Sequence, residues 1–371
     1  MRQVQITTLM FLLIASVTGT ARLQQTEIPA PTAAPIAFYT PRSASEIAGV
    51  GDLIILDPIS RSERRFDLED GTSEPTRLAW SPDYSEIAVS HMPVNSQYYS
   101  VVVYGVAYGD FRARAETSGK DSFAGRYSAE GGMLFFTRGA PTDQPYASEL
   151  HILISAKSVR AEFLVNEMII SDAFWSPVDN ILAATGVETT SSNAETELQG
   201  DIFLIDPATK RTVNLTQTSF TEYVTGWSPD GSKIAYISDE TGKQEAYIMD
   251  ADGRNKRQIS QHPHTADDAH WTRDGQHLVY LARDTVAKPS RPFQPSQLVL
   301  HDLETGEEQV LVEKKFITRF DLSPDSDQLA YISHIADDAP FQLCVLDLNT
   351  REEWCAEHEA LSASDIAWGI D

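Results

Sequence analysis

The densest group of residues able to do chemistry is Gln261–His270, QHPHTADDAH, which holds His262, His264, Asp267, Asp268 and His270. Imidazole and carboxylate together form a donor set for a divalent metal, which needs three or four ligands converging on one point. An extended chain instead sends successive side chains to opposite faces. His262, His264 and His270 are therefore candidate ligands, with loop or turn residues the favoured reading. A second set of charges keeps a regular place. Arg77, Asp172, Asp268, Arg319 and Asp365 each lie three residues ahead of one copy of a repeated W-S-P-D-G-like unit, and Ala124 and Val224 hold that place in the other two copies. Five charges in seven places exceed the 22% charged share of the whole chain. Placed on one face of equivalent strands, they would ring the mouth of a central channel and recognise a polar ligand or a peptide end. Mutual pairing in a wet channel is the alternative.

Cys344 and Cys355 are the only cysteines. They flank Asn349-Thr350, and a hairpin with its tip there sets them opposite one another, in reach of a disulfide that staples the last repeat. The chain shows no G-x-S-x-G elbow, because Gly226-Trp227-Ser228-Pro229-Asp230 fails at its last place, and no phosphate-binding, dinucleotide or H-E-x-x-H pattern. Asn214-Leu215-Thr216 matches a glycosylation sequon at a strand end, where the repeat itself accounts for it. No cofactor is called for.

The elements that must position these residues are short strands. Apolar runs of Val, Ile, Leu, Tyr and Phe alternate with Gly, Pro, Asp, Asn and Ser, which is the pattern of strands joined by tight turns. The cleanest unit is Gly226–Ser238, in which Ser228, Pro229, Asp230 and Gly231 suit the successive places of a type I turn. Its copies begin at Trp80, Tyr127, Trp175, Trp227, Trp271 and Leu322, with Trp368 near the end. Asp57, Asp206, Asp250, Asp302 and Asp347 recur at a second turn, where Asx-turn hydrogen bonding explains them better than metal binding does. Around Trp227 the expected strands are Glu222–Trp227, Lys233–Ser238, Glu245–Asp250 and Arg257–Ser260.

The spacing of the copies is that of propeller blades of four strands each. Ile36–Thr40, Asp52–Asp57 and Arg64–Leu68 read as a blade without its inner strand, and Ser364–Asp371 as an inner strand without a blade. Together they close the ring, giving seven four-stranded blades over residues 36–371, with six as the alternative count. Residues 1–21 read as a signal peptide or N-terminal anchor, with Thr8–Val17 as the apolar core, and residues 22–35 as an extended linker. The formal net charge of −25 sets the chain against nucleic acid and anionic membranes, and no span is expected once a signal is removed.

The W-S-P-D-G-x-x-I-A-Y/F-x-S unit, with strand ends such as Leu215-Thr216 and Ile259-Ser260, resembles the WD-repeat-like β-propeller of the TolB family over about Ile36–Asp371. The N-terminal signal segment makes the expected location periplasmic or secreted, and TolB itself is periplasmic. TolB itself has six blades and an extra N-terminal domain, where this chain has an expected seven and a linker. Prolyl oligopeptidases carry such a propeller beside an α/β-hydrolase domain, for which nothing in this sequence is suited. The expected role is a non-catalytic scaffold of the cell envelope that binds a protein, peptide or other ligand. The alternatives are a metal-dependent saccharide enzyme similar to the oligogalacturonate lyases, which hold a metal with channel histidines, and a structural subunit of an envelope complex. Only His270 falls near a channel position.

Overall fold

The computed structural model describes residues 34–41, 51–66, 77–92, 98–107, 110–115, 121–129, 132–139, 147–154, 159–165, 168–188, 200–260, 264–284, 295–314, 316–334, 340–360 and 365–368. The expected signal segment, the linker up to residue 33 and His262 lie outside the described residues. Among the described residues no helix is long and apolar enough to cross a membrane.

Apolar runs separated by turn residues form strands throughout, and the fold is an all-β propeller. The described strands pair into seven four-stranded antiparallel sheets. Six run in chain order. The seventh takes Ile36–Pro41, Gly51–Leu56 and Glu63–Phe66 from the start of the ring and Ile366–Ala367 from its end. Ala37 pairs with Ala367 and Phe38 with Ile366. Ile366–Ala367 thereby covers part of the inner edge of Ile36–Pro41, which would otherwise invite pairing with another chain.

The core lies between sheets. Along Lys233–Ser238, Ile234 and Tyr236 pack against Phe174, Ala183 and Ile202 on one side. Ala235 and Ile237 pack against Ala266, Leu278 and Tyr280 on the other. Both faces of such a strand are buried, so its sequence is continuously apolar rather than alternating. The recurring tryptophans tie one sheet to the next. The indole Nε1 of Trp80 donates to the Ala367 carbonyl at 2.9 Å, that of Trp175 to Arg126 at 3.2 Å and that of Trp227 to Phe174 at 3.1 Å. Each acceptor precedes the aligned residue of the sheet before. Trp368 donates to the Ala34 carbonyl at 2.9 Å. Among the described residues the Nε1 of Trp271 is buried without a partner.

The turns follow their residue types. In the Trp227 unit, the Gly231 amide donates to the Ser228 carbonyl at 2.8 Å, and Gly231 sits at φ +68°. Asp230 accepts from the Ser228 hydroxyl at 2.7 Å and the Ser232 amide at 3.0 Å. These bonds pull its carboxyl down to about 2. Pro229 lies in the same turn, ahead of the strand Lys233–Ser238. At the second recurring turn, Asp57, Asp206, Asp302 and Asp347 each accept from the amides two and three residues on. Asp250 departs from this pattern: its carboxylate takes Lys233 at 2.7 Å and Asn255 at 2.6 Å. The outer strand of that sheet is Arg257–Gln258, shorter than expected, because the Ile259 and Ser260 amides both turn to the Ala246 carbonyl. Asn214 of the sequon donates to Asp201 at 2.8 Å and accepts from the Thr216 amide, so the turn uses both ends of its amide.

Candidate functional site

The inner strands are Arg77–Trp80, Asp121–Tyr127, Met168–Trp175, Glu222–Trp227, Thr265–Trp271, Ile317–Leu322 and Ile366–Ala367. They converge on an axial cavity of about 320 Å³, lined by residues from all seven sheets. Arg77, Asp172, Asp268, Arg319 and Asp365 all line it. Ala124 is instead fully buried, and Arg126 takes its place at the cavity.

The reason is a break in the pairing. In Asp121–Tyr127, Ala124 pairs with Phe135 and Tyr127 with Met133, so one residue is extra. The same irregularity lies between Ile170 and Asp172, Val224 and Gly226, Ala266 and Ala269, and Ile317 and Arg319. A bulge bends the strand and re-aims its side chains. Strict alternation thus fails at the channel, and Asp267 and Asp268, adjacent in sequence, both line the cavity.

The charges are largely matched. Arg77 donates to Asp172 at 2.7 Å and to the Ser171 carbonyl at 2.9 Å, and Arg126 reaches the same Asp172 oxygen at 3.2 Å. The Arg126 guanidinium also stacks 3.5 Å from the centre of the Phe174 ring. Arg283 holds Asp267, whose carbonyl accepts from the Tyr223 hydroxyl at 3.1 Å. His270 stands between two carboxylates, with Nε2 3.3 Å from Asp268 and Nδ1 3.3 Å from Asp321. Asp321 also accepts from the Leu322 and Trp368 amides at 2.8 Å each, which links this cluster to the ring-closing segment. Asp365 accepts from the Leu78 amide of the next sheet at 3.0 Å.

Burial disfavours charge on His270, but Asp268 and Asp321 outweigh it and hold the imidazole well above its ordinary value. Burial likewise opposes ionisation of Asp268, yet His270, Arg319 and the Ala269 amide keep it below the usual carboxylate range. At Asp365 burial wins: its carboxyl is pushed up to about 6 against the pull of Arg319, the Leu78 amide, Arg77 and Arg126. The cavity therefore carries five carboxylates against four arginines and an imidazolium, close to neutral inside a chain of net charge −25.

A second cavity of about 430 Å³ follows at the turn end of the channel. Trp175, Trp227, Trp271 and Pro229 line it, and Phe174, Thr225, His270 and Asp321 border both cavities. Trp80 and Trp368 stay in the ring, 2% and 1% exposed.

Of the three candidate histidines, His262 lies outside the described residues, and His264 and His270 stand at different places. His270 is in the channel. His264 precedes the inner strand, with its carbonyl accepting from Lys243 at 3.2 Å. The two ring nitrogens of His270 face carboxylates of different strands, Asp268 and Asp321. Among the described residues the group close enough to share an ion is Cys344, Glu353 and Cys355. Those cysteines are joined in a disulfide, directly paired across the hairpin at a Cα separation of 3.9 Å.

A family model, the TolB beta propeller domain, matches residues 172–370, more than half of the chain. The chain belongs to the TolB β-propeller family. Among solved structures, this TolB-family chain is similar to TolB from Acinetobacter baumannii, at 14% identity and a TM-score of 0.54, over 92% of this chain and 68% of that one. An oligogalacturonate lyase in complex with manganese matches at 14% identity and a TM-score of 0.60, over 90% and 86%. The β-propeller domain of the Trilobed protease from Pyrococcus furiosus, described as having an open velcro topology, matches at 13% and 0.62, over 88% and 97%. At such identities the likeness is one of fold.

Arg126, Asp267, Asp321, Arg283 and Tyr223 also line the cavity and were missed by counting back from the repeat. A charged doublet such as Asp267-Asp268 just before a repeat tryptophan was the available signal, since a doublet at the channel requires a bulge. Arg283 follows an unbroken apolar strand and carried no signal of its own.

Proposed function

We propose that this TolB-family chain is an exported, non-catalytic binding protein of the cell envelope, in which the seven sheets serve as seven blades and the channel mouth engages a protein or peptide partner. The observation that carries this reading is the charge-balanced ring of Arg77, Arg126, Asp172, Asp268, Arg319 and Asp365 around an open cavity. Such a ring supplies fixed donors and acceptors with little net field, which favours polar recognition over bulk attraction of ions. The rigid ring also suits presentation of variable loops.

A photo-reactive phenylalanine placed at Tyr223, which lines the cavity, tests this in the cell of origin. Discrete adducts are expected there, and none from the same group at Tyr98, 44% exposed and outside the cavity lining. Equal labelling from both positions, or none from Tyr223, overturns the reading.

A further inference from the structure

Arg319 differs from the other cations of the channel. Arg77 and Arg126 share Asp172, Arg283 is held by Asp267, and His270 lies between Asp268 and Asp321. Arg319 is exposed to the cavity, and its guanidinium donates to the Thr318 carbonyl at 3.1 Å. Among the described residues it has no carboxylate within ion-pair distance. The bulge that skips Thr318 in the pairing with the next strand sets its direction. A guanidinium has five N–H donors in a planar fork, and one contact to a carbonyl leaves an edge for a bidentate anion.

The surroundings decide which anion. Asp268 and Asp365 act on Arg319 from beyond contact distance. A doubly charged phosphate would be repelled by both, inside a chain of net charge −25. A carboxylate carries half that charge and matches the fork. The same two aspartates attract a cationic group placed beside it. A cavity of about 320 Å³ is at the small end of ligand sites, which suits an amino acid or a few residues of peptide.

We propose that the channel mouth binds a compact zwitterion, a free α-amino acid or a short peptide, with its carboxylate on Arg319 and its ammonium in the field of Asp268 and Asp365. This rests on the binding reading above and names its ligand class. Arg77, Arg126 and Arg283 are committed to carboxylates of the wall, so Arg319 alone of the four arginines serves as the anion receptor.

Isothermal titration of the full chain with alanine, trialanine and the N-acetyl and C-terminal amide forms of each tests it, on wild type, Arg319→Gln and Arg319→Lys. Either alanine or trialanine is expected to bind, and which of the two does so identifies the source. Blocking either end of the binding form is expected to weaken it about tenfold or more. Arg319→Gln should abolish the preference for a free C-terminus, and Arg319→Lys should keep part of it. Near-UV circular dichroism checks that both variants keep the ring. Absence of binding by alanine and trialanine up to about 10 mM overturns the proposal, as does equal binding of the blocked forms or an unchanged Arg319→Gln. Tyr223 adducts without zwitterion binding would leave the scaffold reading standing and remove only this ligand class.

Discussion

Asp365 is the wall residue whose environment can be turned into a number. Its carboxyl lies in the channel, accepts one amide hydrogen bond from Leu78 and is pushed up to about 6 from an ordinary 3.8. The folded state therefore holds the proton more tightly than the unfolded chain. A group raised in this way contributes most stability at low pH, below about 4, and loses it as pH rises through about 6. At 1.36 kcal/mol per pH unit, the difference amounts to about 3 kcal/mol. Contact with channel water reduces it to about 2–3 kcal/mol. Asp365→Asn removes the titration and keeps an acceptor for Leu78. Urea denaturation of both proteins, from pH 4 to pH 8, should show the variant gaining stability relative to wild type by that amount, mostly between pH 4 and pH 6.5. A difference that is flat with pH would refute the assignment. An added Arg319→Gln should move the wild-type transition upward, since Arg319 is the foremost group holding that carboxylate ionised.

Three further outcomes follow from named contacts. Reducing Cys344–Cys355, which closes a separation of 11 residues, should cost about 3 kcal/mol, and lower the melting temperature by about 4 °C; calorimetry with and without reductant reads this. Trp227→Phe leaves the Phe174 carbonyl without its indole donor and should cost about 1–2 kcal/mol more than Trp271→Phe, whose Nε1 has no partner to lose. Denaturant titration of the two variants compares them. Gly231→Ala places a Cβ against Val178 Cγ2 at a φ of +68°, whereas at Gly306, φ +74°, nothing stands within 4 Å. Both should destabilise by about 1 kcal/mol through the left-handed backbone, and Gly231→Ala by more; matched melting temperatures would show that Val178 simply moves aside.

The sequence by itself determined the strands, the turns and the closure of the ring. Trp227-Ser228-Pro229-Asp230-Gly231 encodes a local hydrogen-bonded turn whose partners lie within five residues, so residue type alone specifies it. Asp206, Asp302 and Asp347 are legible for the same reason. The Cys344–Cys355 pairing follows from hairpin symmetry, which depends only on where the tip falls. The channel was legible in part: Arg77, Asp172, Asp268, Arg319 and Asp365 stand at one place in the repeat and meet in one cavity.

Only the tertiary structure decided the rest. The bulges in five inner strands change which residues face the channel, and no local preference of Ala124 or Arg126 announces that exchange. The pairing of charges joins residues far apart in the chain, as in Arg77 with Asp172 or Asp321 with the Trp368 amide. Whether Arg319 is neutralised or left for a ligand depends on those distant partners. That is a property of how the blades are arranged around the axis, not of any one copy of the repeat.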